Sequence, residues 1–218
     1  MSALIAVARS HAIDVLTDAA TTWASNGAVE RLAGKQSLIA VPGCVIGATG
    51  WAPPCVRFLQ LASHRCPNFD ALVPTCADLW REVRQEIREE DLLVDYGVVL
   101  AGWSARRARL ELYSIDSADN QISDDLSVFA SGPSDESGTA TRAFVARFAD
   151  TPDTFDAQRD GVALMRDLRR YRRQFEQAAR PCVGGYVQRT EVTALGAETA
   201  IIHRWPEDRI GQPIPEDA

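Results

Sequence analysis

The run Ala3-Leu4-Ile5-Ala6-Val7, then Arg9-Ser10-His11, then Ile13-Asp14-Val15-Leu16 closed by Thr17-Asp18, carries the fold in miniature. Two short apolar segments separated by a polar triplet read as two strands joined by a turn. Residues 35–50 repeat the design, as Leu38-Ile39-Ala40-Val41, the pair Pro42-Gly43, and Cys44-Val45-Ile46-Gly47. Proline presets φ and glycine tolerates positive φ, so that pair suits a chain reversal. Residues 4–7 and 38–41 are apolar at every position, which implies sheets covered on both faces.

Working outward, two helices are expected next. The first starts at Pro53-Pro54, since proline suits a first helical turn, and turns Val56, Phe58 and Leu59 inward. The second covers 75–90, with Leu79, Val83 and Ile87 spaced by four; its other face holds Arg81, Arg84, Glu86, Arg88 and Glu89 in solvent. Strands are expected over 96–104 and 109–115, with Arg106-Arg107 at the turn. Val128-Phe129 leads into a Gly/Ser/Pro-rich stretch over 130–138. Helices over 139–148 and 154–179 and strands over 182–189 and 198–205 complete one domain, 1–205. Residues 206–218, with three prolines and four acidic residues, read as a polar surface extension. Paired strands alternating with paired helices do not build a parallel βαβ sheet; each strand pair closes as an antiparallel hairpin. Two such sheets packed together, with helix pairs outside, satisfy every apolar face. The expected class is α+β, a four-layer αββα sandwich.

Composition narrows the function. The 218 residues are 46% hydrophobic and 24% charged, which argues against disorder. A net charge of −7 argues against a protein built to hold nucleic acid or an anionic membrane. No stretch approaches the roughly 20 apolar residues of a membrane span. Residues 1–20 are broken by Arg9, His11, Asp14 and Asp18, unlike a signal peptide, so a cytoplasmic location is expected. Five cysteines, an odd number, point to reduced thiols. None has zinc-site spacing, His64 and Cys66 alone are too few for a metal, and no cofactor is expected. Cys–His catalysis with His11, His64 or His203 gains no support from spacing. The arginines of Arg169-Arg170-Tyr171-Arg172-Arg173 spread around more than half a helical wheel, as on an outward-facing helix, and do not argue for nucleic acid.

This element order resembles that of the N-terminal nucleophile hydrolases, above all proteasome β-type subunits and their bacterial relatives. In that family a terminal nucleophile precedes the first strand; here Ser2 follows Met1 and precedes Ala3-Leu4-Ile5. An aspartate ends the family's second strand sixteen residues later, and Asp18 stands 16 residues after Ser2. The family lysine at the third strand matches Lys35 in context, one residue late. The oxyanion glycine after the fourth strand matches Gly50, in Ala48-Thr49-Gly50, better than Gly47. Ala130-Ser131-Gly132 stands where the family has a Gly-Ser-Gly-like turn, whose serine supports the nucleophile's amine. Val183-Gly184-Gly185 keeps the family's two glycines before the penultimate strand. Departures are Ser for Thr at the nucleophile, Arg180 where an aspartate is usual, and Ala19-Ala20 where an arginine is usual. The resemblance implies peptide or other amide substrates and self-assembly into a ring.

Elementary chemistry makes the same residues a usable set. A serine hydroxyl needs a base. An α-amine, with a pKa near about 8, supplies one on the same residue once Met1 is removed. Lys35 favours the alkoxide, Asp18 holds the lysine, and a Gly50 N–H receives the oxyanion. Each residue also has a plain structural reading: a frayed terminal serine, a strand-end aspartate, a solvated lysine, a turn glycine and a loop serine. Lys35 is nevertheless the only lysine among 23 Lys and Arg residues. Two further readings stand beside the hydrolase: the same fold as an inactive assembly subunit, favoured by Arg180 and Ala19-Ala20, and an unrelated α+β binding module.

Overall fold

The computed structural model describes residues 3–38, 44–50, 52–86, 96–116, 122–123, 126–133 and 138–215. Ser2, Ile39-Ala40-Val41, Pro42-Gly43, Ile87, Arg88 and Glu89 lie outside the described residues. Within them the chain is a mixed α+β fold of antiparallel sheets and four α-helices.

The opening sequence forms the expected hairpin, β1 (Leu4–Ala8) and β2 (Ile13–Asp18). All six residues of β2 are buried. A short hairpin follows, β3 (Ala20–Thr22) and β4 (Val29–Leu32). Next come β5 (Gln36–Leu38) and β6 (Cys44–Gly50), again antiparallel. Helices α1 (Ala52–Arg65) and α2 (Phe69–Glu86) precede β7 (Tyr96–Ser104) and β8 (Arg109–Asp116). Then come β9 (Ile122–Ser123), β10 (Val128–Ser131) and α3 (Thr139–Phe148). The last elements are α4 (Val162–Arg170), β11 (Arg172–Gln174), β12 (Ala179–Pro181), β13 (Tyr186–Thr193) and β14 (Gly196–Arg204).

Two five-stranded sheets result, in the orders β10-β1-β2-β13-β14 and β5-β6-β7-β8-β9. Strand pairing sorts the apolar side chains. Ile5, Val7 and Leu16 pack with Phe144, Phe148, Met165 and Leu168 of α3 and α4. Leu4, Ala6, Ile13 and Val15 point the other way and meet Val45, Val99, Ala101 and Leu112 of the second sheet. Ile46, Val98 and Leu100 pack on Phe58, Leu72 and Trp80 of α1 and α2. The alternation within β1 and β2 explains why neither strand could spare a polar face. Gly47 lets the sheets approach: a Cβ there would lie 2.9 Å from Leu4 Cδ1 and 3.2 Å from Val15 Cγ1.

Several elements differ from the sequence expectation. Helix α2 starts at Phe69, earlier than the expected 75, and carries Pro74 within it. The Asn68 side chain accepts from Ala71 N–H at 2.8 Å, an Asx cap that ends the preceding turn. In α1, Phe58 is buried and Val56 is half-exposed. The helix expected over 154–179 is α-helical only over Val162–Arg170: Phe155 and Asp156 are extended, and at the other end the apolar stripe stops at Leu168 and the chain turns outward at Tyr171, where ψ is 138°. The arginine run is therefore split. Arg169 is buried, Arg170 is exposed beside Asp167, and Arg172 and Arg173 lie in β11. The polar tail runs over the surface but is pinned at Asp208 and Ile214, both buried. Among the described residues, no helix is long and apolar enough to cross a membrane.

One charged cluster braces the β7–β8 hairpin. Glu111 is buried and accepts from Arg107, from Arg109 Nε at 2.8 Å and from the Tyr113 hydroxyl at 2.8 Å. Burial opposes its charge, but those hydrogen bonds outweigh it and hold the carboxyl down at about 2. A depressed carboxyl stabilises the fold above its unfolded value of 4.5 and loses that contribution as pH falls toward about 2. The melting temperature is expected to drop across that window. Glu111→Gln should flatten the drop and lower the pH 7 melting temperature by roughly 5 to 10 °C, read by calorimetry.

Candidate active site

Asp18 closes β2 with its side chain fully buried. A charged carboxylate there must be neutralised by donors, and it is. Oδ1 accepts from the Ala3 N–H at 3.0 Å and from the Lys35 ammonium at 2.8 Å. Oδ2 accepts from the N–H groups of Ala20 and Gly184, each at 3.2 Å. A carboxylate has about four lone-pair sites, so this one is filled. Its position follows from the fold. The β1–β2 hairpin returns the chain to the start of β1, where Leu4 pairs with Thr17 and the next residue on each strand is Ala3 and Asp18.

Lys35 precedes β5, and its side chain is 13% exposed. The backbone is held to β6 by Ala48 N–H donating to the Lys35 carbonyl at 3.1 Å. The ammonium donates to Asp18 and to the Ala20 carbonyl, the latter at 2.6 Å. Those bonds use two of its three protons; among the described residues nothing accepts the third. Lys35 faces an open cleft of about 880 Å³, a size suited to a small ligand or a peptide side chain. Gly50 lines the same cleft and has φ of 90°, a conformation L side chains rarely adopt.

Two glycine turns close around the strand start. The carbonyl of Gly184 accepts from the N–H groups of Ala19 and Ala20, both at 3.0 Å, while the Gly184 N–H reaches Asp18. Ala19 and Ala20, where the resembled family carries an arginine, therefore contribute through their backbone. Across the strand, Ser131 pairs with Leu4. A Cβ on Gly132 would lie 3.5 Å from the Ala3 Cα, so this turn also abuts the start of β1.

Of the residues picked from the sequence, Asp18 and Lys35 are bonded, Gly50 shares the cleft with Lys35, and Ser131 lies beside Leu4. Ser2, one residue before Ala3, lies outside the described residues. Arg180 is directed elsewhere: its Cδ lies 3.3 Å from where a Gly27 Cβ would be, and it makes no bond to Asp18. Sequence reasoning missed the Ala20 carbonyl, Asp208, and Gln36. The Gln36 amide ties the two sheets together by donating to Val15 O at 2.9 Å and Gln188 O at 3.0 Å. Backbone acceptors and a glutamine leave no motif, so no sequence signal pointed to them.

The cleft is walled by the β3–β4 hairpin, the first turns of α1 and the end of β11. Ala20, Ala33, Ala48, Pro53, Val56 and Leu59 make much of the lining apolar, with Trp23 and Phe175 on one side. Glu30, Arg31, Arg173 and Glu176 bring both signs of charge. The cysteines offer no nucleophile here. Burial pushes the thiols of Cys44 and Cys55 to about 12, and that of Cys182 upward too. Among the described residues, no group of three or more His, Cys, Asp or Glu side chains is arranged to hold a metal ion. No protein-family model matches the chain, and no curated protein matches it.

Removing the Asp18 carboxylate strands the buried N–H groups of Ala3 and Gly184 and takes its counter-charge from a largely buried ammonium. Asp18→Ala is expected to cost on the order of 4 kcal/mol in urea unfolding. It should also speed amide exchange at Ala3 and Gly184 ahead of the rest of the sheet. Stability within about 0.5 kcal/mol of wild type would contradict this accounting.

Proposed function

We propose that the chain is a proteasome-like N-terminal nucleophile hydrolase in a four-layer αββα sandwich, cleaving peptide or other amide bonds through Ser2 after loss of Met1. The observation that carries this reading is the Asp18–Lys35 pair at 2.8 Å, bonded to the first described residue of the terminal strand and open to a cleft on the lysine side. A lone buried ion pair is weak evidence for stability alone. A lysine with a third donor to spare at the wall of a cleft has a use in chemistry.

The steps follow from the groups. The α-amine of Ser2 accepts the Oγ proton, directly or through one water, as Oγ attacks the substrate carbonyl. The Lys35 ammonium favours the developing alkoxide, while Asp18 keeps the ammonium in place. The tetrahedral oxyanion is received by a backbone N–H at Gly50, one such donor being worth roughly 3 kcal/mol. The amine then protonates the leaving nitrogen, the C–N bond breaks, and an acyl ester on Ser2 remains. Water, deprotonated by the same amine, hydrolyses that ester and restores Ser2.

The apolar lining of the cleft fits a bulky apolar side chain next to the scissile carbonyl. Self-association into a ring, which the resemblance implies, is part of the proposal; native mass spectrometry should find a multiple of the 23.8 kDa chain. The rival reading is an inactive subunit of the same fold, favoured by Arg180 and by the absence of an arginine at Ala19-Ala20.

Intact-mass analysis is expected to show a chain lacking Met1. An electrophilic peptide ending in leucine or phenylalanine should add to it once, faster than the same probe ending in aspartate. Ser2→Ala should abolish the adduct, and Lys35→Ala should slow it on the order of a hundredfold. A retained Met1 removes the hydrolase reading. No adduct on a chain that has lost Met1 supports the inactive subunit.

A further inference from the structure

A second buried carboxylate stands directly behind the first. Asp208 and Arg169 have side chains 0% and 2% exposed and form a bidentate pair, with Arg169 Nη2 to Oδ1 at 2.7 Å and Nη1 to Oδ2 at 2.8 Å. Neither residue lines the cleft. Arg169 Nη2 also donates to Glu207 Oε1 at 3.3 Å, and the pair's remaining side-chain bonds converge on one turn. Arg169 Nη1 donates to the Val183 carbonyl at 3.0 Å. Asp208 Oδ2 accepts from the Gly185 N–H at 2.5 Å. The next N–H upstream, that of Gly184, is the one that donates to Asp18. Two successive amides of one turn thus point at two different carboxylates.

The turn has no slack to take up a missing partner. Gly185 has φ of 80°. A Cβ on Gly184 would fall 2.4 Å from Asp208 Oδ2 and 2.7 Å from Arg169 Nη1. The tail that delivers Asp208 is anchored on both sides. Trp205 N–H donates to the Gly185 carbonyl at 3.0 Å, and Val29 N–H donates to the Gln212 carbonyl at 2.9 Å. Ile214 then packs with Ala20, whose carbonyl is the second acceptor of Lys35.

We infer that Asp208 is a positioning residue of the Asp18–Lys35 site. From the far end of the chain it fixes, with Arg169, the Gly184-Gly185 turn that aims an amide at Asp18. Its effect on catalysis rests on the hydrolase reading above; its effect on the geometry of Asp18 and Lys35 does not. Asp208 touches no reacting atom. Without its charge, Arg169 loses its bidentate partner and is left with the Glu207 carboxylate at 3.3 Å, the turn relaxes, and Asp18 loses one of the four donors that set its plane.

The test uses the full-length chain. Lys35 is the only lysine, so reductive methylation with carbon-13 gives one side-chain amine signal besides that of the chain terminus. Asp208→Asn and Arg169→Lys should each shift that signal and the Gly184 amide resonance. On unmethylated protein, both should slow acylation by the electrophilic peptide roughly tenfold at saturating probe, with half-saturation nearly unchanged. Glu111→Gln, which loses a buried charge network on the other sheet, should lower stability yet leave both resonances and the rate in place. Wild-type positions of the Lys35 and Gly184 signals in folded Asp208→Asn would overturn the inference, as would an unchanged acylation rate. If Asp208→Asn does not fold, Arg169→Lys decides by the same readouts. If wild type itself is never acylated, the hydrolase reading falls and the resonances alone judge Asp208.

Discussion

A carboxylate with no exposed surface is the constraint around which this molecule is arranged. Asp18 must be ionised to bind an ammonium, and an ionised carboxylate in a protein interior needs every lone pair engaged. The chain meets that demand from four distant places: the start of β1, the step after β2, the loop before β5 and the turn before β13. None of these segments can move independently without exposing or orphaning the charge. The site's geometry is therefore a property of the whole first sheet, and the Asp208–Arg169 pair extends the same logic one layer back. Such a network contributes little net stability when complete, because desolvation offsets most of the attraction. It contributes definition, since each partial version is much worse than the whole.

That definition depends in turn on how closely the two sheets approach. Leu4 and Val15 reach across toward Gly47, where a side chain would collide with them. The Gln36 amide then bridges to the carbonyls of Val15 and Gln188. Lys35 is adjacent in sequence to that bridge, so the packing distance between sheets sets the reach from the lysine to Asp18. A larger residue at 47 would act on the site through spacing alone, with no contact to any group that does chemistry.

The sequence was most legible where burial is two-sided. In β1, β2 and β6 long-range packing and local pattern agree, so an unbroken apolar run sufficed; α3, from Thr139 to Phe148, buries one face only, and there periodicity served. Legibility failed where a few residues turn by hydrogen bonding. The β3–β4 hairpin has its signal in Asn26-Gly27, with Asn26 accepting from Ala28 N–H at 2.9 Å and Gly27 at φ of 70°, but its strands are too short to show alternation. The β11–β12 hairpin sits in what composition presents as the continuation of an arginine-rich helix. Its cause is tertiary: Phe175 is buried against Gly27, which no local propensity expresses. At the site, Asp18 and Lys35 could be picked out only through the family resemblance; the β1–β2 turn length then accounts for why Asp18 returns to the strand start. Asp208 could not, since an aspartate in a proline-rich tail is ordinary until Arg169 is seen waiting, buried, beneath it.

The choice of lysine at position 35 is itself informative in a chain whose other strong bases are all arginine. Arginine presents a planar fork and prefers two parallel bonds to one carboxylate, as Arg169 does with Asp208. At Lys35 the geometry is different. One Asp18 oxygen and one backbone carbonyl lie around a single nitrogen, at 2.8 and 2.6 Å. A compact ammonium with three rotatable donors can meet both and keep a third proton free of those two acceptors. A guanidinium spreads its charge over a planar fork and would not aim a single charge at one point. Two buried carboxylates with opposite choices of cation thus follow from what each must do. Arg169 spans both oxygens of Asp208 behind the Gly184-Gly185 turn, and Lys35 joins Asp18 to the Ala20 carbonyl at the wall of the cleft.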